Sequence, residues 1–421
     1  MPPLPPRAEA ASVAPPEVRA WWLLLVGAAI VRALIMPYGG FPTDIGTFKA
    51  WASALAQHGP AGFYRGGFVD YLPGYLYVLW GIGELHAALR LNDQALLFAI
   101  KLPAAVCDIA TAVLIRWVAE RFTSRRMALW LGALYLFHPA LIFTGAYWGQ
   151  VDSVGAFLAL SALALFLRGH PLAWSAAALA FLVKPQTAPL ILVLAVAMLR
   201  RDLWPAPRPE GFRPRPDRVI GAALLGGATV VLLLAPFGLG PTRLVTLMRT
   251  AIHVYPYGSV VAFNLWGAIQ GFWQSDAARL AGLPVFLWGI LAAVLAVAVI
   301  LAVVWRRPQE RTTVVAASAV LLAIFLLSTR MHERYLIPAL PFLALLPAVD
   351  RRLWVIYGGL SGLLLLNLVY AYTRPYVQTF LLPALLERSV FSDPAVRVFS
   401  AVAVATLPWL VAVMMRPREI A

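Results

Sequence analysis

The chain alternates long apolar runs with short polar breaks. Apolar runs cover 21–38, 73–89, 95–119, 127–147, 151–167, 172–183, 187–199, 219–237, 283–305, 312–327, 336–349, 353–372 and 396–415. Many approach the ~20 apolar residues that cross a hydrocarbon core. The pattern predicts an all-α, polytopic transmembrane helical bundle. The first long break, 41–75, reads FPTDIGTFKAWASALAQHGPAGFYRGGFVDYLPGY and carries Asp44 directly after the first run.

Arginine fixes the expected topology. Cytoplasmic loops carry the Lys/Arg excess, and the clusters are Arg121/Arg125/Arg126, Arg200/Arg201/Arg208/Arg213/Arg215/Arg218, Arg306/Arg307/Arg311, Arg351/Arg352 and Arg416/Arg418. If every run crossed, these clusters would fall on both sides. The conflict disappears if 73–89, with Glu84 and His86, lies along or re-enters the outer surface as part of the first outer loop (39–94). About 12 spans then remain, with both termini cytoplasmic. Segment 172–199 becomes a hairpin with Lys184-Pro185-Gln186 at its outer tip. Its first arm, about 12 residues or roughly 18 Å, is short, so Lys184 should lie below the outer surface.

Composition supports a cell-membrane protein. Of 421 residues, 61% are hydrophobic and 13% charged, against roughly 25% charged in soluble domains. The net charge of +15 reads as membrane topology and not as nucleic-acid binding, because the arginines sit in short loops between apolar runs. The only lysines are Lys49, Lys101 and Lys184, and the single Cys107 excludes an intramolecular disulfide. Residues 1–18, rich in Pro and Ala, read as a disordered cytoplasmic tail. No loop can hold a soluble domain, and no Gly-rich phosphate motif follows a strand. A nucleotide donor held on an α/β domain is therefore not expected.

The polar and aromatic groups gather in the outer loops. Asp44 is read either as a helix N-cap or as a general base at a cavity mouth. Trp148-Gly149-Gln150-Val151-Asp152 places an amide and a carboxylate at the next outer turn, where Asp152 could also cap. Lys101 and Asp108 share one helix face, and mid-membrane Asp108 should pair structurally; His138 also reads as structural. Ser328-Thr329-Arg330-Met331-His332-Glu333-Arg334-Tyr335 is the densest outer charge cluster and suits a phosphate. His253, Tyr255 and Tyr257, followed by Phe263-Asn264-Leu265-Trp266, suit an interfacial belt or a sugar or prenyl site.

These stretches, in this order, resemble the GT-C superfamily: the early Asp44, Asp70-Tyr71-Leu72-Pro73-Gly74, HPALIFTGAYWGQVDS, Lys184-Pro185-Gln186 and FLLSTRMHERYLIPALPF. Within it the chain looks like the dolichyl-phosphate-glucose glucosyltransferases, the first GPI mannosyltransferase and their bacterial relatives. The resemblance spans about 21–345. It implies a core module over 19–237 and a variable C-terminal membrane module over 238–421, with outer loops 238–282 and 328–335. It also implies juxtamembrane helices in the first outer loop, a catalytic acid at Asp44, and matches at Asp152 and His332-Glu333. Many relatives carry two adjacent acids at the first motif, whereas Ile45 follows Asp44 here. That leaves a divalent metal and a second acid open; no metal ligand set is indicated.

The expected activity is hexosyl transfer, of mannose or glucose, from a polyprenyl-phosphate sugar to an extracytoplasmic acceptor: a lipid-linked glycan, glycolipid or polysaccharide. Asp44 would act as base and the reaction would invert the anomeric carbon. Lys184, Arg330, His332 and Arg334, with Lys101 as a weaker candidate, would bind the donor phosphate. Asp152, Gln150, Trp148, Glu333, Gln186, His253, Tyr255 and Tyr257 would line the sugar and acceptor sites. A transporter or lipid flippase shares the spans and intramembrane charges, but should show an internal repeat; none is evident.

Overall fold

The structure, a computed structural model, describes residues 16–65, 67–376 and 383–416. All but the last residues of the expected tail lie outside them. Pro16 already opens α1 (Pro16–Ile35), which is followed by α2 (Pro42–His58), α3 (Pro73–Leu89), α4 (Asp93–Ala119) and α5 (Arg125–Leu136). The single turn α6 (Pro139–Leu141) and a π-helical stretch, Ile142–Trp148, prolong α5. Then come α7 (Asp152–Leu167), α8 (Ala173–Val183), α9 (Ala188–Asp202), α10 (Pro216–Leu234), α11 (Pro241–His253) and α12 (Leu265–Ile269). A two-residue β-ribbon precedes α13 (Val285–Arg306), α14 (Glu310–Leu327), α15 (Leu340–Val349), α16 (Trp354–Ala371), α17 (Ala384–Arg388) and α18 (Asp393–Met415).

Local chemistry explains several boundaries. Proline occupies the first turn of α2, α3, α10 and α11, where its missing N–H and fixed φ cost nothing. Asn92 caps α4 through Ala95 N at 2.8 Å, and Ser124 caps α5 through Met127 N.

The arginine clusters collect at one end of the bundle. Arg116 at the end of α4 lies 5.0 Å from the ring of Trp21, near the start of α1. Arg121 is bidentate to Glu310 at the start of α14. Arg201, closing α9, sits over Phe166 at the end of α7, and Arg215 N donates to Asp202 O, joining α9 to α10. Trp204 meets Trp305, Arg311 donates to Val349 O, and Arg307 donates to Arg416 O. Helices therefore leave this end and return to it. Eight are long and apolar enough to cross a membrane. The shorter α7 and α8 are apolar as well, and α9 and α15 pack within the same bundle.

These four shorter helices are shielded by their neighbours. Nearly every residue of α15 is buried, as is most of α8, so neither presents its whole length to lipid. α8 and α9 run in opposite directions with Lys184 between them.

α3 does not pass through the bundle. It packs on α2, and its Tyr77 hydroxyl donates to Leu233 O at the far end of α10. Aromatic edges lock this pair: Trp51 lies 5.4 Å from Tyr71, Phe48 6.0 Å from Tyr75, and Phe63 6.4 Å from Phe237. The first loop is thus a packed cap at the end opposite the arginines.

Midway along the bundle, Asp108 pairs with Arg32 of α1 at 3.3 Å, not with Lys101. The same guanidinium donates to Leu136 O at 2.9 Å, and both side chains are 1% exposed. A buried pair that loses one member leaves an uncompensated charge, which costs about 3–5 kcal/mol. Arg32→Met or Asp108→Leu alone should sharply lower the apparent melting temperature in detergent, and the double variant should recover most of the loss. Equal loss in all three would remove the pairing from the stability of the bundle.

Candidate active site

The site forms where the loops at the arginine-poor end converge. Its geometry starts with Lys101. This side chain is fully buried on α4, and its Nζ donates to Met36 O at 3.0 Å, Tyr38 O at 2.7 Å and Tyr147 O at 2.9 Å. The ammonium is thereby saturated, so Lys101 ties the exit of the first helix to the end of the π turn. Phe41 N then donates to Trp148 O at 3.1 Å. The two strings of backbone that flank Asp44 are held together before any side chain of the site is placed.

Asp44 lies in the first turn of α2, two residues after Pro42. It does not cap the helix: the N-cap is Phe41, without a side-chain hydrogen bond. Its Oδ2 instead accepts from Trp148 Nε1 at 2.9 Å and from Gln150 Nε2. Oδ1 accepts no hydrogen bond from the described residues. The positive end of α2 adds a favourable field for the carboxylate. Gly149 makes the approach possible; its φ is +92°, and a Cβ there would lie 2.5 Å from Ile45 Cδ1.

Asp152 opens α7 without capping it. It forms an ion pair with Lys184 Nζ at 3.0 Å that lacks the alignment of a hydrogen bond, and its second oxygen is 4.0 Å from Arg334 Nε. Lys184 reaches it because α8 ends one residue earlier and because Gly155 leaves room for its stem; a Cβ on Gly155 would sit 2.8 Å from Lys184 Cγ. The ammonium is also 3.4 Å from the Tyr71 hydroxyl.

The segment after α14 supplies the other wall. Arg334 Nη1 donates to buried Glu333 at 2.9 Å, and its guanidinium lies 5.7 Å from the Trp148 ring and feels the charges of Asp44 and Asp152. His332 packs edge-on to Tyr255 at 4.7 Å and beside Tyr335 at 5.1 Å. Burial, then the positive charges of Arg334 and Lys184, hold this imidazole well below its usual range. It is uncharged at neutral pH and available only as a neutral hydrogen-bonding group.

Other expected site residues lie elsewhere. Arg330, with φ +65°, is spent on Asp276 at 2.5 Å and Ile252 O at 2.9 Å. It anchors the 254–284 loop. His253 is exposed and contacts Arg249 O, while Tyr257 packs on Trp273. Gln186 occupies the 3-10 turn after Lys184. Trp266 and Asn264 are buried and donate to Leu327 O and Ser328 O, so this stretch is a structural clamp and not an interfacial belt. His138 caps α6 through Ala140 N.

Asp70 has no role in the sequence reading, yet it belongs here. Its carboxyl is coupled to Lys184, Arg334 and Asp44, and burial holds it above the usual carboxylate range against a backbone hydrogen bond and the two cations. Asp70-Tyr71 is a visible motif, but only the folded α2–α3 cap brings it across to Asp44. The cluster therefore joins Asp44, Asp70, Asp152, Glu333, Lys184 and Arg334. Among the described residues no three His, Cys, Asp or Glu side chains meet as a metal-ligand set.

No protein-family model and no curated protein matches the chain. Among solved structures, it is similar to the crystal structure of ArnT from Cupriavidus metallidurans bound to undecaprenyl phosphate. The two share 17% identity and a TM-score of 0.49, over 94% of this chain and 77% of that one.

The state of His332 has a measurable consequence. Its folded pKa is depressed, so below about pH 6.5, its ordinary value, the unfolded chain binds a proton that the folded chain refuses. Stability must then fall as pH drops, by up to ~1.4 kcal/mol per pH unit. Apparent melting temperatures from pH 7.5 to 5 should decline less steeply in His332→Gln than in the unsubstituted protein. Parallel declines would mean that His332 is not buried as the neutral form.

Proposed function

We propose that the chain is a membrane glycosyltransferase of GT-C type that takes its sugar from a polyprenyl-phosphate donor. The observation that carries this reading is Asp44: a carboxylate oriented by Trp148 and Gln150 through one oxygen, its other oxygen accepting no hydrogen bond from the described residues, in one cluster with buried Lys184 and half-buried Arg334. This juxtaposes a base with charge stabilisation at the end of a membrane bundle.

In the proposed reaction an acceptor hydroxyl attacks the anomeric carbon and gives its proton to Asp44 Oδ1. The bond from that carbon to the phosphate oxygen breaks, and both its electrons leave with the lipid phosphate. Little acid help is needed, because the leaving group is a stable anion. Charge stabilisation in a desolvated site is the larger effect, and Lys184 and Arg334 supply it. Of the other basic candidates, Lys101 and Arg330 are engaged elsewhere and His332 is neutral. Asp152 and Glu333 hold the two cations in place, while buried Gln150 Oε1, which accepts no hydrogen bond from the described residues, suits a sugar hydroxyl. Asp70, more easily protonated than an ordinary carboxyl, suits a second contact to the sugar or acceptor. A single base without a nucleophilic carboxylate favours inversion, and mannose or glucose is the proposed sugar. Sidedness follows arginine: the site end is extracytoplasmic and both chain ends are cytoplasmic.

Purified Asp44→Asn should release polyprenyl phosphate from a radiolabelled polyprenyl-phosphate sugar at least about a hundredfold more slowly than wild type, within the range general-base catalysis contributes, while still binding the lipid. Near-normal turnover would sink the assignment. On intact cells, in a Cys107→Ser background, an impermeant maleimide should label Ala277→Cys and spare Ser124→Cys; the reverse pattern would invert the topology.

A further inference from the structure

The turn that follows α11 is fastened on both sides by one residue. Arg330 Nη1 donates to Ile252 O at 2.9 Å, in the last turn of α11, and Arg330 N donates to Tyr257 O at 2.9 Å, beyond the turn. The same side chain pairs with Asp276 at 2.5 Å, and Asp276 N donates to Pro256 O at 3.1 Å, within the turn. The Asp276 side chain is buried. Arg330 adopts φ +65°, a conformation that is uncommon for a residue with a Cβ and persists only where its surroundings over-determine it. These contacts close a circuit around residues 252–257.

The side chain that the circuit holds in place is Tyr255. Pro256 disfavours helical backbone at Tyr255, and α11 ends before it. The Tyr255 ring stands edge-on to His332, with 4.7 Å between centroids and 89° between planes. It thereby covers one side of a buried imidazole. Tyr255 also feels the charges of Arg334, Asp70, Asp44 and Glu333, so it borders the acid cluster. In that cluster Asp44, Asp70 and Arg334 are half-buried, whereas Trp148, Gln150 and Asp152 are buried. Solvent meets the cluster where Tyr255, 39% exposed, stands. Anchoring a loop for stability alone would bury the side chain at the centre of the circuit. Here that side chain is a half-open ring laid against the site.

We propose that Tyr255 keeps water from the anomeric carbon of the donor, and that Arg330 and Asp276 are the positioning residues that hold its ring there. The inference rests on the glycosyl-transfer reading above. A base that takes a proton from an acceptor hydroxyl also takes one from water, so a transferase with Asp44 open to solvent would lose its donor. In that side reaction the water oxygen bonds to the anomeric carbon and its proton passes to Asp44. The bond from that carbon to the phosphate oxygen breaks, both its electrons leave on the lipid phosphate, and free sugar is released. Exclusion of water from a closed site prevents such reactions. A tyrosine suits the task, because its ring is large and rigid and loses little conformational freedom when fixed.

The test is hydrolysis of radiolabelled polyprenyl-phosphate mannose and, separately, polyprenyl-phosphate glucose by the purified full-length chain with no acceptor added, read as free sugar. Tyr255→Ala should raise hydrolysis at least about fivefold over wild type by admitting water. Tyr255→Phe, which keeps the ring, should recover most of the protection. Asp276→Asn, which loosens Arg330, should raise hydrolysis in the same direction but less. Adding Asp44→Asn to Tyr255→Ala should remove the gain. If Tyr255→Ala does not fold, Tyr255→Leu decides the matter. Hydrolysis no faster than wild type in the Tyr255 variant would overturn the proposal and leave the transferase reading standing; so would a gain that survives Asp44→Asn. A gain in Tyr255→Ala with none in Asp276→Asn would overturn the part given to Arg330 and Asp276. The transferase reading is scored separately, by release of polyprenyl phosphate from wild type supplied with a total extract of the host membrane. No release there from either donor would remove that reading and this inference together.

Discussion

The site depends on one buried ammonium. Lys101 is a cation in an apolar helix, and such a charge persists only where every proton finds an acceptor. Three backbone carbonyls do this, and they come from the two segments that must meet for Asp44 to reach Trp148 and Gln150. The need to satisfy the lysine is thus converted into the register of the loop that carries Asp44. Side-chain contacts alone would leave Asp44 on a loop free to slide. Backbone carbonyls carry no side-chain identity, so the clamp constrains the path of the chain while leaving its loop residues free to specialise.

A second layer of order comes from pairing each cation with a carboxylate. Asp152 holds Lys184 and Glu333 holds Arg334, each from a different helix boundary. These pairs do not argue for high stability, since burial of both charges offsets their attraction. Their value is positional. In the proposed reaction the long flexible side chains would be fixed before substrate arrives, so that ordering them would not weaken binding.

How much of this was legible in the sequence follows from what periodicity encodes. Apolar run lengths and arginine positions give depth and end, and so they recover the helical bundle, the packing of α3 outside it and the place of Lys184 at a turn. They also place Asp44, Asp152 and Arg334 at one end. Depth does not give azimuth. Lys101 and Arg330 are at the right level, but their side chains turn to Met36, Tyr38 and Tyr147 in one case and to Asp276 in the other. Asp70 was hidden for the opposite reason. It lies in a loop without period, and only the aromatic packing of α2 on α3 carries it to the cluster. The Arg32–Asp108 pair was half visible: mid-membrane Asp108 demanded a partner, but nothing in the spacing pointed to a helix 76 positions away in sequence.

The charge balance of the cluster constrains the proposed chemistry. Four carboxyls, Asp44, Asp70, Asp152 and Glu333, face two cations, with His332 neutral. An anionic donor entering such a site meets less repulsion once a carboxyl takes up a proton, and burial favours that form at Asp70. Transfer then leaves the total unchanged. The acceptor proton neutralises Asp44 as the departing phosphate gains one negative charge, so charge moves across the cluster without accumulating. Arg334 is coupled to both Asp44 and Asp152. As Asp44 is protonated its hold on that guanidinium weakens, and the guanidinium becomes more available to the phosphate at the moment the phosphate needs it. A base and an electrophilic stabiliser that share one electrostatic field in this way favour the transition state over the bound donor, which is the condition for a binding interaction to accelerate a reaction.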